Sequence, residues 1–301
     1  MKIVRIKKGL LCLMVSLFLL NINSIKAVNN VSDLKTLNLK GNYNNNLAYA
    51  PPTMQVFFDL LGPYGSWVEY GSYGYCWVPR LGPDFVPYST NGHWVYTEHG
   101  WQWFSNYSWG WAPFHYGRWV FENDYGWIWV PGTEWGPAWV VWGHSDGYYG
   151  WAPIAPGVTL SIGYRPPMNC WTFVPERYVA EVNFGPFIVR DRAMVHFDNV
   201  EVIFNSHSYK NVVYNRGPRV EDIQRYTGRT FVPVNVKEVD HQMSNHEIKN
   251  AHNEYMHNRP MPVYRPAIDN KPSVRPVPGK VEKLENLKRN NPKEENHEHN
   301  R

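Results

Sequence analysis

Tryptophan is the residue that most constrains the fold of this chain. Fourteen of its fifteen tryptophans lie between positions 67 and 151, where two short motifs alternate. One motif places a small residue two positions before a Trp-Val pair, at 65–68, 92–95, 117–120 and 137–140. The other is related to Gly-Trp-x-Trp-Val-Pro and occurs at 75–79, 100–103, 110–113, 126–131 and 150–153. Such a tandem repeat predicts one small structural unit built several times over.

The residue types of the repeat predict β-hairpins. Trp, Tyr and Val favour strands, and tryptophans two positions apart, such as Trp101 and Trp103, project from one face of a strand. Gly, Asn and Asp between the motifs suit tight turns, and the prolines that close the second motif end strands. We therefore predict an all-β fold, an antiparallel meander of short Trp-rich hairpins in which cross-strand aromatic pairs replace an aliphatic core.

The beginning of the chain predicts export. Residues 1–27 have the features of a signal peptide: four basic residues, an unbroken apolar run at 9–20 that is too short to span a bilayer, and a small residue, Ala27. Cleavage removes five basic residues and no acidic ones, which lowers the formal net charge from +4 to about −1. A nearly neutral mature chain argues against nucleic-acid binding. No later segment is apolar enough to span a membrane, so we expect a periplasmic or secreted protein.

The rest of the chain divides by composition into four predicted regions. They are a flexible Asn-rich leader, the repeat module, a second β-rich segment, and a weak helix followed by a disordered tail. Their boundaries are 28–50, 51–157, 158–235 and 236–301. The repeat module opens with a short helix predicted at 51–61, with Thr53 as its N-cap.

Behind the repeat module, apolar and polar residues alternate. This alternation predicts three or four strands, among them 187–189, 200–204 and 211–214. A short helix is predicted at 218–226, closed by Gly228. From Arg259 onward Pro, Asn, Lys and Glu dominate, and this composition predicts a tail that cannot bury enough apolar surface to fold.

Two cysteines, Cys76 and Cys170, remain after the predicted cleavage. An exported protein meets oxidising conditions, which permit a disulfide between them. Such a bond would stabilise the fold by about 4–5 kcal/mol in the chain-entropy account. The alternative is two separate buried thiols, and the sequence leaves both outcomes open because it fixes no geometry between them.

The tryptophans have two alternative roles. They can pack as a core, each burying a large ring, or they can form an exposed platform that stacks on sugar rings or cations. The densest part of the repeat supplies the candidates for a platform, which are Trp101, Trp103, Trp109, Trp111, Trp127 and Trp129. Arg118 lies among them, close to His115, and would either contact an acidic or hydroxylated ligand or stack on a neighbouring Trp.

Motifs for catalysis and metal binding are not found in the sequence. There is no Gly-x-Ser-x-Gly, no nucleophilic cysteine beside a histidine and no phosphate loop. Spacings of five, six and five residues separate His241, His246, His252 and His257, which keeps neighbouring histidines off a common helical face. We therefore predict a protein that is not an enzyme and that uses neither a cofactor nor a metal.

Residues 57–157 resemble the DUF6600 family of bacterial proteins of unknown function. The resemblance rests on the stretches 58–67, 75–80, 91–96, 109–120 and 125–140, and it extends to 171–177, 215–218 and 227–229. It implies a secreted or periplasmic bacterial protein and brings with it no activity, cofactor or catalytic residue.

These observations together predict a non-enzymatic module of the cell envelope that binds or scaffolds through an aromatic β-surface. Its partner would be another envelope protein or a cell-wall polymer. The alternative is a carbohydrate-binding protein that stacks peptidoglycan or polysaccharide sugars on exposed tryptophans.

Overall fold

The structure is a computed structural model that describes residues 51–159, 161, 163–257 and 259–287. The predicted signal peptide and leader lie outside these residues. The described strands are β1 Gly65–Glu69, β2 Tyr75–Pro79, β3 Gly92–Thr97, β4 Gly100–Ser105, β5 Arg118–Glu122, β6 Gly126–Val130, β7 Val140–Ser145, β8 Tyr148–Pro153, β9 Thr172–Pro175, β10 Glu201–Ile203, β11 Ser206–Tyr209, β12 Val212–Asn215, β13 Val236–Val239 and β14 Met261–Tyr264. The α-helices are α1 Gln55–Leu61, α2 Val220–Thr227 and α3 Asn245–Met256. The predicted class is confirmed in its main feature, since strands in several small antiparallel sheets dominate.

The hairpins do not follow one another in one continuous meander. Hairpins β1–β2 and β5–β6 join into a sheet of order β1-β2-β6-β5, while β3–β4 stays a separate two-stranded sheet. Hairpin β7–β8 lies at the centre of a second four-stranded sheet of order β10-β7-β8-β9. A hairpin alone buries too little surface to be stable, so these thin units gain stability by packing their indole faces against each other.

Each hairpin of the repeat carries one pair of directly opposed tryptophans. The pairs are Trp67↔Trp77, Trp94↔Trp103, Trp119↔Trp129 and Trp142↔Trp151. In the first sheet Trp77 also faces Trp129, so four indoles form one row across all four strands. The predicted cross-strand aromatic pairs are confirmed, and they are the repeating unit of the core.

The small residue of the first motif gives space to the opposite indole. A Cβ atom added at Gly65 would lie 2.4 Å from Trp77 Nε1 and 2.4 Å from the Val78 carbonyl oxygen. At Gly92 it would meet Trp103 Cζ2 at 2.4 Å. These glycines are required because the strands and the ring occupy the volume of a side chain.

Indole N–H groups fix the loops that surround the sheets. Trp77 Nε1 donates to the Leu61 carbonyl at the end of α1, and Trp119 Nε1 donates to the Pro113 carbonyl in the loop before β5. Trp151 Nε1 reaches the Tyr88 carbonyl at 2.8 Å, in the loop before β3. A buried donor needs an acceptor, and here each ring links a strand to a loop that has no ladder of its own.

Helix α1 falls inside the predicted range but begins after the predicted cap. Its N-cap position is Met54, and the Thr53 hydroxyl accepts a hydrogen bond from the Gln55 backbone N–H at 3.2 Å. Thr53 therefore lies one residue before the N-cap, and its hydroxyl still helps to start the helix. Phe57, Phe58 and Leu61 are buried and pack the helix on the indole core.

The second β-rich segment contributes β9 to β12, as many strands as predicted. The expected strand at 187–189 is wrong, because 185–187 forms a 3₁₀ turn and only the Val189 backbone N–H reaches a strand, at the Phe173 carbonyl. Helix α2 is confirmed and ends at Gly228 in the left-handed conformation. Helix α3 is confirmed over 245–256, where Ser244 and Glu247 form a capping box.

The prediction of a disordered tail is wrong for 259–287. Strand β14 pairs in parallel with β13, and Arg265 forms an ion pair with Glu238. We call residues 265–287 the C-terminal strap, because they run in an extended path over the repeat module and end in a 3₁₀ turn at Leu284–Leu287. Composition alone predicted disorder because it does not show that the strap packs on a surface formed by the repeat module. Residues 288–301 lie outside the described residues.

Cys76 and Cys170 are thiols, so the disulfide that the sequence left open is not formed. Cys76 lies on β2 with its side chain on the face opposite the tryptophan row, between Val68 and Ile128. Cys170 lies in the 3₁₀ turn just before β9, which is a strand of the other four-stranded sheet. Burial raises the pKa of the Cys76 thiol to about 12.

A chain of polar side chains fixes α3 on hairpin β3–β4. The Tyr255 hydroxyl hydrogen-bonds to His93 Nε2 and lies 3.0 Å from His252 Nδ1. His93 is buried, and the two histidine rings meet edge to face at 5.0 Å. Burial, with a smaller effect from His252, lowers the pKa of His93 to about 3, so the ring is neutral in the folded protein.

We predict that Gly65→Ala lowers the free energy of unfolding by at least about 2 kcal/mol, since the new methyl group overlaps both a backbone carbonyl and an indole. Chemical denaturation measures the change. Gly82→Ala is the matched control, because nothing lies within 4 Å of a Cβ there. Equal stability of the two variants would show that the indole does not need the glycine.

We predict that acid destabilises the fold through His93. The folded state keeps this ring neutral down to about pH 3, whereas the unfolded chain protonates it below about 6.5, so stability is complete above pH 6.5 and declines below it. The loss is about 1.4 kcal/mol per pH unit for one such group. Denaturation series from pH 7 to 4 should give a smaller slope for His93→Gln than for wild type, while exposed His246→Gln keeps the wild-type slope.

Candidate functional site

The tryptophans predicted to form a platform are core residues. Trp101, Trp103, Trp109, Trp111, Trp127 and Trp129 are all 7% exposed or less. The prediction of an exposed platform at these six positions is wrong, because other elements cover the faces that a lone hairpin would leave open. Trp109, for example, packs between Tyr107 at 4.3 Å and Trp77 at 5.1 Å.

Of its two predicted roles, Arg118 has that of stacking on a neighbouring tryptophan. Its guanidinium lies 3.4 Å from the centre of the Trp139 ring, and Nη1 donates to the Gly117 carbonyl. Burial lowers the pKa of Arg118 to about 10. The neighbouring His115 stacks on Trp135 at 5.6 Å and hydrogen-bonds to the Gly136 carbonyl. Both side chains thus fix the loop at 132–139 against β5.

A polar cleft lies between the second four-stranded sheet and helix α2, and we call it the α2 cleft. Its volume is about 480 Å³. Phe204 and Asn205 line one side of it, and six further side chains carry most of its polar and aromatic character. They are His144, Tyr149, Glu201, Arg219, Asp222 and Tyr226.

Strand pairing sets the floor of the α2 cleft. His144 on β7 lies directly opposite Glu201 on β10 and Tyr149 on β8, so the three form one row across the sheet. Residues opposite each other in adjacent strands point to the same face. The row therefore presents an imidazole between a carboxylate and a phenol.

Helix α2 forms the other wall. Asp222 and Tyr226 are four residues apart, which places them on the same face of the helix. Asp222 forms ion pairs with Arg219 at 2.9 Å and with Arg225 at 3.6 Å. Tyr226 is 37% exposed and lies 5.9 Å from the His144 ring and 6.0 Å from the Tyr149 ring.

The indole core fixes where helix α2 begins. Trp101 Nε1 donates to the Pro218 carbonyl at 3.0 Å, two residues before the helix. Gly217 has a φ of +83°, and a Cβ there would lie 2.9 Å from Trp101 and 3.0 Å from Trp142. The buried Asn215 side chain accepts from the Gly217 backbone N–H and donates to the Ile203 carbonyl. Core tryptophans thereby hold the helix at a set distance from β10.

A strong hydrogen bond orients the central histidine. His144 Nε2 lies 2.5 Å from Glu176 Oε1, and Glu176 is itself fixed by its backbone N–H donating to the Gly147 carbonyl. Tyr149 is 3% exposed, and burial, with a contribution from Asp222, raises the pKa of its phenol. The α2 cleft thus combines fixed hydrogen-bonding groups with two accessible aromatic rings, Tyr226 and Phe204, an arrangement that suits a ligand with hydroxyl groups.

Sequence reasoning missed the α2 cleft. His144 occurred as part of a turn and Tyr226 as the end of a short helix, 82 positions apart in the chain. No local spacing joins them, and the pairing of β10 with β7 and of β9 with β8 brings the second segment to the repeat module. The exposure of Tyr226 is visible in the structure alone.

Within the described ranges, no group of three or more His, Cys, Asp or Glu side chains is arranged to hold a metal ion. Among the helices that the structure describes, none has the length and apolar character to cross a bilayer.

Comparison with known proteins gives one match. Residues 58–158 match the model of a family of unknown function, DUF6600. No curated protein and no solved structure matches the chain. The matched region begins in α1 and ends just after β8, so it contains every hairpin of the tryptophan repeat and the His144 and Tyr149 side of the α2 cleft. Residues 58–158, about a third of the chain, are therefore similar to the DUF6600 family, whose function is unknown.

Proposed function

We propose that this protein is an exported, non-enzymatic binding module of the cell envelope that holds a saccharide in its α2 cleft. The observation that carries the proposal is Tyr226, an accessible ring beside a row of oriented polar groups. The proposal keeps carbohydrate as the ligand but moves it from the tryptophans to the cleft, since the tryptophans are buried.

The chemistry of the cleft favours a neutral or amino sugar. Sugar rings present C–H groups to an aromatic ring and hydroxyl groups at their rim, and the cleft offers Tyr226 for the first and Glu201 and Asp222 for the second. Arg219 is already paired with Asp222, so the remaining charge of Glu201 disfavours acidic ligands. A volume of about 480 Å³ lies in the range of small-molecule sites.

The same arrangement supports binding rather than hydrolysis. Asp222 is engaged by two arginines, and His144 is engaged by Glu176. A pair of carboxylates that hydrolyses glycosides needs one group kept protonated and the other unengaged. The signal-like features of residues 1–27 support a location outside the cytoplasm, where cell-wall polymers are present.

We predict that Tyr226→Ala weakens saccharide binding at least tenfold, about 1.4 kcal/mol, because it removes the accessible ring. Calorimetric titration of the mature chain with neutral and amino oligosaccharides from the cell wall measures the affinity. Tyr73→Ala is the matched control, since Tyr73 is 45% exposed and does not line the cleft. Absence of saturable binding to any of these oligosaccharides would contradict the proposal, and so would an equal loss in the two variants.

The same mixtures of protein and oligosaccharides test the proposal that the protein does not hydrolyse its ligand. After prolonged incubation, mass spectrometry should find the oligosaccharides intact. Cleavage products that disappear with His144→Gln would instead identify an enzyme and would overturn the non-enzymatic part of the proposal.

A further inference from the structure

The C-terminal strap lies on the module in the manner of a bound peptide. The Asp269 backbone N–H donates to the Pro52 carbonyl at 2.8 Å, and the Glu282 backbone N–H donates to the Trp67 carbonyl at 2.7 Å. Between these points the Gln55 side-chain amide makes two bonds to the backbone of Val277, at 3.0 and 3.1 Å. All four bonds use the main chain of the strap, which is how extended peptides are recognised.

The strap follows the edge of a sheet. β1 is at the edge of the sheet β1-β2-β6-β5, and Val68 forms a parallel bridge with Glu282. A second parallel bridge joins Thr53 to Asp269. The strap therefore runs in the same direction as residues 53–68, and at Val68 it covers the edge of β1, which would otherwise be open to pairing with another chain.

Two leucines of the strap cover an apolar face of the same sheet. Val68, Cys76 and Ile128 are buried on the face opposite the tryptophan row, and Leu284 and Leu287 pack against them. Residues three apart in a 3₁₀ turn project from the same side, so both leucines reach this face together. The surface thus has a main-chain part along β1 and a pocket for two leucines.

Arg265 anchors the start of the strap through Glu238 and Trp135, and the residues after 270 are lightly held. Only Pro278 is fully buried among residues 265–287, and Val274, Val277 and Val281 are exposed. Four prolines, Pro266, Pro272, Pro276 and Pro278, favour an extended chain before binding, which lowers the entropy lost on docking. The strap contacts the tryptophan core at its start, where Ile268 packs against the core and the Tyr116 hydroxyl donates to the Pro266 carbonyl, and its later residues pack on the separate Val68–Cys76–Ile128 face.

We propose that the surface formed by Gln55, the edge of β1 and the Val68–Cys76–Ile128 face is a peptide-binding groove, occupied in cis by the strap. In trans it binds an extended, proline-containing segment of another envelope protein that carries two leucines three residues apart. The strap competes with that partner, so release of the strap regulates binding. The groove is separate from the α2 cleft, and this inference does not depend on the saccharide proposal.

Cys76 makes the groove testable in the full mature chain. It is buried beneath the leucines, so its alkylation rate reports whether the strap is in place. The variant Leu284→Ser with Leu287→Ser should be alkylated at Cys76 at least tenfold faster than wild type, as read by mass spectrometry of the Cys76 peptide. Val274→Ser is the control, because this strap valine is exposed and the rate should not change.

Binding of a separate chain to the groove is tested with a synthetic peptide that has the sequence of residues 265–287. It should bind the double-serine variant, restore protection of Cys76, and bind wild type at least tenfold more weakly because the groove is filled. A peptide carrying the same two serine substitutions should not bind. Gln55→Ala, which removes two strap bonds and leaves the core intact, should give an intermediate alkylation rate.

Three results would overturn the inference. The first is a double-serine variant that keeps Cys76 protected. The second is a variant that retains the wild-type near-ultraviolet circular dichroism of its tryptophans yet binds no peptide. The third is equal peptide affinity for wild type and variant, which would place the binding site elsewhere. If the double-serine variant loses its near-ultraviolet signal, the same measurements of alkylation and peptide binding are made on Gln55→Ala.

Discussion

The fold depends on indole pairs that face each other across antiparallel strands. Each hairpin of the repeat holds one such pair, and in the first sheet two pairs merge into a row of four rings. The pairs give each hairpin a large apolar face, and in three of the four hairpins the glycine two positions before the first Trp gives the opposite ring its space. Because the faces are so large, the hairpins pack on each other, and a set of thin ribbons becomes one core.

The indole N–H groups connect this core to the functional surfaces. Trp77 reaches the end of α1, which carries Gln55 to the strap, and Trp101 reaches Pro218, which starts α2 beside the cleft. In both cases a buried ring with a polar tip sets the position of an element that the sheet alone would not fix. Surfaces that contain little tryptophan are thus positioned by the tryptophan core.

Burial decided between the two roles that the sequence allowed for the aromatic residues. A lone meander of hairpins leaves one indole face open, and on that basis an exposed platform was a reasonable prediction. The loops at 82–91 and 107–117 and helix α1 cover that face, as Phe57 and Trp129 show with rings 5.4 Å apart. The accessible aromatic rings at the candidate site are Tyr226 and Phe204, both from a segment behind the repeat.

Within the tryptophan repeat, the amino-acid sequence by itself determined the strands, the turns and the pairing of tryptophans within hairpins. These follow from interactions over fewer than about 15 residues, which β propensity, glycine and proline control. The tertiary structure alone decided which hairpins share a sheet, that Trp109 and Trp111 are buried, and that His144 meets Glu201 and Tyr226. It also decided that residues 265–287 follow a fixed path, although their composition is that of a disordered segment. Each of these outcomes rests on contacts between residues far apart in the chain, whose energy depends on the assembled surface and not on local sequence.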